Sequence, residues 1–421
     1  WDGTSWSTVG SGFPYANVYA LAIYNNELYA GGYFLMADGN PANHIAKWNG
    51  TIWESVGTGI STGAQDYIAT LTVFNGNLYA GGDFTTAGGV AVKNVAKWNG
   101  SAWSTVGAGL GDGPISFPPE RVYSLFVHNN ELYAGGDFIG AANNSYEQYR
   151  IAKFNGTDWE NLGAKGISDA DAKWAVRCMA SYNNNLHVGG YFTAVDNGVS
   201  FNPGTVIGNN VSMWDGTVFS TLGTAGPNAG VIYASATSAN PPVLAEIVYD
   251  NTLYVGGAFT SAGGIAANGI AGWNGTSWSA AGSGVSGQIA GSPGLGVSTM
   301  AIYNGSLIIG GDFTSAGGVT GNGIAKWTMS TTGVNEFHLA SRIVVAPNPF
   351  TTTTTFTSTS EESLTEAVLT IYDLLGNEIK TIFPTSSRSI LFDRKDLSSG
   401  IYFYSLRKKE IEIASGKLVV E

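Results

Sequence analysis

The chain has 421 residues, of which 12% are charged, and a formal net charge of −12. Such an acidic protein is a poor partner for nucleic acids and for anionic membrane surfaces, so we expect neither. The single cysteine, Cys178, excludes an intramolecular disulfide framework and a cysteine-based zinc site, and the four histidines lie far apart in the sequence. No run of about 20 apolar residues predicts a transmembrane helix. We expect a monomer without metal or cofactor.

The chain begins inside a repeated phrase and not with methionine. We therefore expect a mature form or a fragment of a longer protein.

Residues 1–329 are built from repeats. A phrase of the type Leu-Tyr-Ala-Gly-Gly-x-Phe occurs six times, and its first glycines are spaced by 50, 54, 54, 67 and 54 residues. These glycines are Gly31, Gly81, Gly135, Gly189, Gly256 and Gly310. A second phrase, Ile/Val-Ala-Lys-Trp-Asn-Gly-x-x-Trp, follows in most repeats. Repeats of about 40–50 residues with several short strands are typical of β-propeller blades.

Each repeat predicts four antiparallel strands, which we label A to D. In the second repeat we expect strands at 68–74, 77–84, 94–98 and 103–106. Asn75-Gly76 and Asn99-Gly100 join the strands of the A–B and C–D pairs. Asn-Gly is a strong hairpin signal, because both central positions of a type I′ turn need a positive φ.

The two ends of the repeat region complement each other. The sixth repeat has strands A, B and C (299–303, 306–313 and 324–327) but lacks the phrase for strand D. The chain instead begins with Trp1-Asp2-Gly3-Thr4-Ser5-Trp6, which has the sequence of a C–D turn and a strand D. We therefore predict an all-β, six-bladed β-propeller closed by the N-terminal strand, because closure removes an exposed sheet edge.

The repeat phrases resemble those of kelch-like bacterial surface propellers and of fungal cortical-marker proteins. This resemblance implies a propeller fold but no particular function, because propellers host many activities.

The loop lengths differ between the two faces of the predicted propeller. The A–B and C–D turns are short, whereas the D–A connections (107–120, 163–174, 223–245 and 282–296) and two B–C loops (139–149 and 193–210) are long. Binding residues are commonly carried by loops on a rigid scaffold. The candidate ligand-binding residues on this long-loop face are Tyr67, Phe117, Tyr146, Tyr149, Trp174, Phe201 and Tyr233. Aromatic rings beside carboxylates suit a glycan, and the alternative is that these rings pack on the rim.

No catalytic constellation is visible in the repeats. Asp83, Asp137 and Asp312 follow the glycine pair, but tyrosine or alanine occupies the same position in the other three repeats. Structural hydrogen bonding therefore explains these aspartates better than a calcium ring, which needs six to eight converging oxygens. No nucleophile elbow is present, and we predict a protein that is not an enzyme. A carboxylate pair from separate loops, as in a polysaccharide hydrolase or lyase, stays open.

The C-terminal tail has a different composition. We expect a linker at 330–342 and a small immunoglobulin-like β-sandwich at 343–421. Its predicted strands are 343–346, 353–358, 367–373, 378–383, 389–393, 400–407 and 411–420.

Four motifs of the tail occur in an order that resembles the C-terminal sorting domain of the bacterial type IX (Por) secretion system. They are Pro347-Asn348-Pro349, Tyr372-Asp373 with Gly376, Gly400 with Tyr402, and Lys417 before Leu-Val-Val. An ordinary immunoglobulin-like module would explain the strands but not these ordered motifs.

This resemblance implies a bacterial protein of the Bacteroidetes that crosses the outer membrane by binding the type IX secretion machinery. It implies a secreted protein, either released or attached to the outer surface of the outer membrane. The most economical function is adhesion or carbohydrate binding, that is, binding of an extracellular glycan or protein through the long-loop face. The alternatives are a structural adhesin or matrix component without a specific ligand, and a polysaccharide hydrolase or lyase.

Overall fold

The protein is described here by a computed structural model. The described residues are 5, 7–14, 16–61, 63, 65–111, 120–138, 150–162, 166–168, 175–196, 208–223, 229–232, 243–289, 296–327, 343–358, 364–365, 367–373, 377–383, 388–395, 397–408 and 411–421. The chain forms two compact units, Trp1–Thr328 and Met329–Glu421.

The described secondary structure of the first unit consists of β-strands. They are β1 (Asn17–Tyr24), β2 (Glu27–Tyr33), β3 (Met36–Ala37), β4 (Asn40–Pro41), β5 (Ile45–Trp48), β6 (Trp53–Ser55), β7 (Tyr67–Phe74), β8 (Asn77–Asp83), β9 (Thr86–Ala87), β10 (Val90–Ala91), β11 (Val95–Trp98), β12 (Trp103–Thr105), β13 (Val122–His128), β14 (Glu131–Gly136), β15 (Ile151–Phe154), β16 (Trp159–Glu160), β17 (Gly166–Ser168), β18 (Ala175–Tyr182), β19 (Asn185–Tyr191), β20 (Ala194–Asp196), β21 (Val211–Trp214), β22 (Phe219–Thr221), β23 (Val231–Ile232), β24 (Ala245–Tyr249), β25 (Thr252–Gly256), β26 (Ser261–Ala262), β27 (Ile265–Ala266), β28 (Ile270–Trp273), β29 (Trp278–Ala280), β30 (Val285–Ser286), β31 (Gly296–Tyr303), β32 (Ser306–Asp312), β33 (Ser315–Ala316), β34 (Val319–Thr320) and β35 (Ile324–Trp327).

Each repeat forms one main antiparallel sheet, and we number these sheets 1 to 6 along the chain. The strand orders are β1-β2-β5-β6, β7-β8-β11-β12, β13-β14-β15-β16, β18-β19-β21-β22, β24-β25-β28-β29 and, with three described strands, β31-β32-β35. The first strands of successive sheets lie against each other from sheet 1 to sheet 6. The strands of the second repeat agree with the predicted bounds within one residue.

The turn that joins the first two strands of each sheet requires left-handed backbone conformations. In sheet 2, Asn75 has φ 44° and Gly76 has φ 70°. Asparagine and glycine tolerate such angles better than other residues, which is why this dipeptide is the best hairpin signal in the sequence.

The glycine pair in each second strand has two separate steric causes. A Cβ on the second glycine, such as Gly82, would overlap the carbonyl oxygen of Tyr67 in the first strand of the same sheet. A Cβ on the first glycine, Gly81, would lie 2.6 Å from Val122 Cγ1 and 3.2 Å from Leu125 Cδ1 of the next sheet. The pair therefore allows both the strand pairing within a sheet and the packing between sheets.

The packing between sheets uses the same position in each repeat. The residue that precedes the first glycine by ten positions covers the glycine of the preceding sheet, as Leu71 covers Gly31. This position is Leu71, Leu125, Met179 and Met300 in sheets 2, 3, 4 and 6, respectively.

In sheet 5 this apolar position is occupied by Glu246. Its Oε1 lies over Gly189, where an added Cβ would come within 2.6 Å of Oε1 and 2.7 Å of Cys178 Sγ. Both carboxyl oxygens are buried and have no hydrogen-bond partner among the described residues. Burial raises the pKa of Glu246 well above its usual value.

Short hairpins stand between the second and third strands of several sheets. β3–β4, β9–β10, β26–β27 and β33–β34 are pairs of two-residue strands. β23 and β30, which lie in connections from the preceding sheets, pair with β26 and β33. This part of the predicted long-loop face is therefore more regular than the sequence interpretation assumed.

The outer strands are linked between sheets by tryptophan side chains. Trp103 Nε1 donates a hydrogen bond to Val56 O (3.0 Å), and Trp159 Nε1 donates one to Val106 O (3.2 Å). Trp53 in sheet 1 makes the same 3.0 Å bond to Val9 O. Val9 therefore contacts sheet 1 in the same way that Val56 contacts sheet 2. Val56 directly follows the outer strand of sheet 1, so Val9 has the position expected for the end of an outer strand.

The predicted fourth strand of sheet 6 is not seen in the described part of the chain. There, β35 pairs with β32, and Ser5 and residues 7–9 form no strand. Val18 and Leu21, on the face of sheet 1 that would cover a preceding sheet, are 40% and 62% exposed.

The second unit contains two sheets that share one apolar core. Its strands are β36 (Ile343–Ala346), β37 (Thr353–Ser358), β38 (Ala367–Tyr372), β39 (Glu378–Ile382), β40 (Ser389–Asp393), β41 (Gly400–Lys408) and β42 (Ile411–Val420). The strand orders are β36-β37-β40 and β39-β38-β41-β42. Phe356 and Phe392 of the first sheet pack with Leu369 and Leu406 of the second, and all four are fully buried.

Candidate functional site

A β-bulge interrupts the first strand of several sheets at the same place. The pairing of the first and second strands skips one residue in β1, β7, β13, β18 and β31. The bulged residues are Tyr19, Ala69, Tyr123, Arg177 and Ser298. A bulge leaves its extra residue out of the ladder and redirects the side chain, and bulges often lie beside functional sites.

Arg121, just before β13, is the centre of a polar cluster between sheets 2 and 3. Its guanidinium lies 3.4 Å from Asp83 Oδ2 and 3.9 Å from Asp137 Oδ2, and it donates a 2.9 Å hydrogen bond to the Tyr123 hydroxyl. The Tyr123 hydroxyl in turn donates to Asp137 Oδ2 at 2.9 Å. The two carboxylates are thus held by Arg121 and Tyr123.

Burial dominates the protonation equilibria of this cluster. It raises the pKa of Asp137, against the opposing hydrogen bond from Tyr123 and the charge of Arg121. It also raises the pKa of the Tyr67 and Tyr123 hydroxyls, and Arg177 and Arg121 act in the opposite direction. Both tyrosines therefore stay neutral at physiological pH.

Two bulged residues bring further groups to the cluster. The guanidinium carbon of Arg177 lies 3.6 Å from the ring centroid of Tyr123, which is a close cation–π stack. The Tyr19 and Tyr67 rings meet edge to face with centroids 5.5 Å apart. We call the complete set the bulge-row cluster: Tyr19, Tyr67, Asp83, Arg121, Tyr123, Asp137 and Arg177.

The cluster includes one of the predicted ligand-binding residues. Tyr67 begins β7, where a D–A connection enters the first strand. The other six predicted residues lie outside the described residues: Phe117, Tyr146, Tyr149, Trp174, Phe201 and Tyr233.

The sequence interpretation missed the arginines and Tyr123. A signal was available, because the bulged residues all lie twelve positions before the first glycine of the pair. This position is chemically variable, whereas the residue before it is valine or isoleucine in these five repeats. A variable position inside a regular strand pattern indicates a side chain that does not pack in the core.

The aspartates after the glycine pair make the structural hydrogen bonds that the sequence predicted. Asp137 accepts a hydrogen bond from the backbone N–H of Arg121, and Asp312 accepts one from Ile289 at 2.7 Å. Across the described residues, no three His, Cys, Asp or Glu side chains are grouped so that they could hold a metal ion.

The tail motifs come together in the structure. The Asn348 side chain of the first motif bonds the backbone of the last, donating to Lys417 O and accepting from Val419 N, both at 2.8 Å. Pro347 and Pro349 flank this asparagine. Hydrogen bonds therefore join the first and last motifs, although about 70 residues separate them.

The two middle motifs make short-range hydrogen bonds. Asp373, which follows Tyr372, accepts two 2.9 Å hydrogen bonds from Asn377. Tyr402 donates from its hydroxyl to Ser398 O at 3.0 Å, and Gly400 pairs with Val420. Gly376 lies outside the described residues.

Two family models match the chain. Residues 344–421 match the secretion system C-terminal sorting domain. Residues 304–328 match the domain of unknown function (DUF5122) beta-propeller. No curated protein matches the chain.

Several solved structures share a distant likeness. PorZ, an essential bacterial surface component of the type IX secretion system of Porphyromonas gingivalis, is 12% identical with a TM-score of 0.36, covering 98% of this chain and 53% of its own. The extracellular domain of a putative one-component system from B. thetaiotaomicron is 9% identical with a TM-score of 0.34, covering 98% and 57%. This chain therefore spans little more than half the length of the structures it matches.

Within the described residues, no helix is long and apolar enough to cross a membrane. The chain carries β-propeller repeats and, at residues 344–421, a type IX secretion sorting domain, which directs it to the cell surface or the extracellular space.

Proposed function

We propose that this protein is a surface or secreted β-propeller that binds an extracellular glycan or protein through its long-loop face. The observation that carries this proposal is the bulge-row cluster. It combines aromatic rings and guanidinium groups near the starts of first strands with the carboxylates of Asp83 and Asp137 at the ends of the paired second strands. A rigid sheet scaffold with a few convergent polar groups is the usual setting of a binding site.

The six sheets and the N-terminal segment together support a closed, six-bladed ring. Val9 accepts from Trp53 as Val56 accepts from Trp103, so residues 7–9 stand where the outer strand of a preceding sheet would end. In a closed ring that preceding sheet is sheet 6. Val18 and Leu21 would then cover Gly310 as Ile68 and Leu71 cover Gly31.

We further propose three parts for the chain: the propeller at 1–329, a linker at 330–342 and the sorting domain at 343–421. The two sheets of the second unit, packed over one core, support an immunoglobulin-like sandwich for the last part. The sorting domain would bind the type IX machinery and direct secretion.

Ligand binding is tested by a glycan-array screen of the purified chain, followed by measurement of affinity for the positives. Tyr67→Ala removes a ring of the bulge-row cluster and is expected to weaken binding at least tenfold. Tyr303→Ala, which removes a partly exposed tyrosine from β31, is the control. Retention of full affinity in Tyr67→Ala would contradict the proposed site. Absence of any ligand would favour a structural adhesin, and turnover of a polysaccharide would favour a hydrolase or lyase.

Secretion is tested in a bacterium that possesses the type IX system. Deletion of residues 343–421 is expected to leave the protein in the periplasm, whereas the full chain reaches the medium or the cell surface. Equal export of both forms would contradict the role of the tail.

A further inference from the structure

Within the part of the chain that the structure describes, Arg177 has no ion-pair partner. Its Nε is buried without a hydrogen-bond partner, and among the described residues no carboxylate lies within the 4.0 Å ion-pair distance of its guanidinium. Burial of a charged group is costly unless the group is paired and hydrogen-bonded. The described residues therefore leave the Arg177 guanidinium without a carboxylate partner.

The nearby carboxylates are already occupied. Asp83 faces the Arg121 guanidinium, and the two oxygens of Asp137 accept from the Arg121 backbone and the Tyr123 hydroxyl. Neither aspartate lies within the ion-pair distance of Arg177, although the charge of Arg177 opposes the rise in the pKa of Asp137. The described cluster therefore supplies no direct carboxylate partner for Arg177.

We propose that Arg177 binds the carboxylate of an acidic glycan, an inference that rests on the ligand-binding function proposed above. The Tyr123 ring covers one face of the guanidinium at 3.6 Å and thereby fixes its plane. The edge of a fixed guanidinium presents parallel N–H donors that match the two oxygens of a carboxylate.

The neighbouring tyrosines favour a saccharide as the carrier of this carboxylate. Tyr19 is 53% exposed and stands edge to face with Tyr67, so an aromatic surface continues from sheet 1 to sheet 2. The C–H face of a pyranose packs on such rings, and tyrosine combines an apolar body with a polar tip. A uronic acid unit offers the C–H face and the carboxylate together.

The arrangement also limits the number of charges that are recognised. The bulge positions of the other sheets are tyrosine, alanine or serine, and Arg177 is the one cation among the described bulged residues. One carboxylate per binding event is therefore expected, with further sugar units contacting tyrosine.

Calorimetric titration of the full chain with oligogalacturonate and with its fully methyl-esterified form tests this proposal. The ester keeps the sugar skeleton and removes the negative charge. We expect the acid to bind about tenfold or more tightly than the ester, with an affinity that falls as salt rises. Arg177→Gln should abolish this preference, whereas Lys326→Gln, which removes an exposed cation from β35, should preserve it. Unchanged thermal unfolding of Arg177→Gln establishes that the variant is folded.

The outcomes separate this inference from the proposed function. Equal affinity for acid and ester, unaffected by Arg177→Gln, would overturn the role of Arg177 and leave glycan binding intact. Absence of binding to both oligosaccharides in the folded wild type would overturn the acidic-glycan proposal. In that case, a glycan from the array that binds Tyr67→Ala more weakly than the wild type would still support the proposed function. An array on which no glycan binds the protein would refute glycan binding as well.

Discussion

Glu246 occupies a position that is leucine or methionine in most other sheets, and its buried carboxyl group has no hydrogen-bond partner. Glu246→Met inserts the residue found at Met179 and Met300. We expect it to stabilise the protein at pH 7 by roughly 1–3 kcal/mol, because an unpaired buried polar group is removed. Chemical denaturation of wild type and variant at several pH values measures this gain.

The pH dependence of this gain has a definite sign. The folded-state pKa of Glu246 lies above the usual 4.5, so the folded protein keeps a proton that the unfolded chain loses. Stability is therefore fully present below pH 4.5 and falls as the pH rises above that value. The advantage of Glu246→Met should shrink towards pH 4, and Glu246→Gln should remove the pH dependence with a smaller gain. A destabilising Glu246→Met would contradict this account.

His187 is a second residue that departs from the repeated residue type, and its protonation affects stability at acid pH. It occupies the position of Tyr29, Tyr79, Tyr133 and Tyr254, is 1% exposed, and borders an open pocket of about 580 Å³. Burial lowers its pKa from 6.5 to about 4. Stability is thus full above pH 6.5 and is lost as the pH falls towards 4, by roughly 3 kcal/mol in total.

His187→Tyr introduces the residue found in four of the other five repeats, and the adjacent pocket has room for the larger ring. We expect this variant to flatten the fall in melting temperature between pH 6.5 and 4, measured by differential scanning calorimetry. Glu246→Met acts in the opposite pH direction and is the comparison variant. If the melting temperature of His187→Tyr falls between pH 6.5 and 4 as much as that of the wild type, another group causes the loss of stability in acid.

Alignment of the repeats on the glycine pair is sufficient to find Glu246 and His187, because both break a repeated residue type. The cluster around Arg177 could not be found in that way. Its geometry depends on the bulges, which redirect Tyr19, Tyr123 and Arg177 out of the strand alternation. Alternation alone gives the wrong environment for these three side chains.

Strands are the elements that the sequence predicts best in this protein. The tail strands β36, β37, β40 and β42 have the predicted bounds, and the strands of the second repeat differ by one residue at most. Asn-Gly turns and alternating apolar residues are local signals, which explains this agreement. The two-residue strands were not predicted. Two of them, β23 and β30, form only by pairing with the next repeat.

The tryptophan bonds between outer strands give a test of the N-terminal segment. Trp53→Phe and Trp103→Phe each remove an indole N–H that donates to a carbonyl of the preceding segment, Val9 O or Val56 O. We expect each variant to lose about 1 kcal/mol of unfolding free energy, because one carbonyl loses its hydrogen-bond donor. Denaturant unfolding at neutral pH measures both losses.

The losses of unfolding free energy in Trp53→Phe and Trp103→Phe are compared to test the role of residues 7–9. Equal losses indicate that Val9 is held as firmly as Val56 and that residues 7–9 act as the end of an outer strand. A much smaller loss for Trp53→Phe than for Trp103→Phe would contradict that role. Both tryptophans are buried against the adjacent third-strand tryptophan, and Trp53 also contacts the Phe13 ring.

At the scale of the whole molecule, the repeat count and the tail could be predicted because each rests on ordered motifs. Whether the ring is closed could not be predicted, because closure depends on one contact between the first and last repeats. That contact joins segments about 300 residues apart and has no local signal. In the closed ring proposed above, the exposed Val18 and Leu21 would cover Gly310 as Leu71 covers Gly31.

Cysteine labelling of the full chain tests closure. In a closed ring Leu21 is buried like Leu71, so Leu21→Cys should react with a thiol reagent about as slowly as Leu71→Cys. Val319→Cys, at a site that is 71% exposed, gives the rate of an accessible thiol. The native Cys178 contributes little background, because burial raises the pKa of its thiol. If Leu21→Cys instead reacts as fast as Val319→Cys, the six sheets form an open row, and the face of sheet 1 is covered by some other segment or not at all.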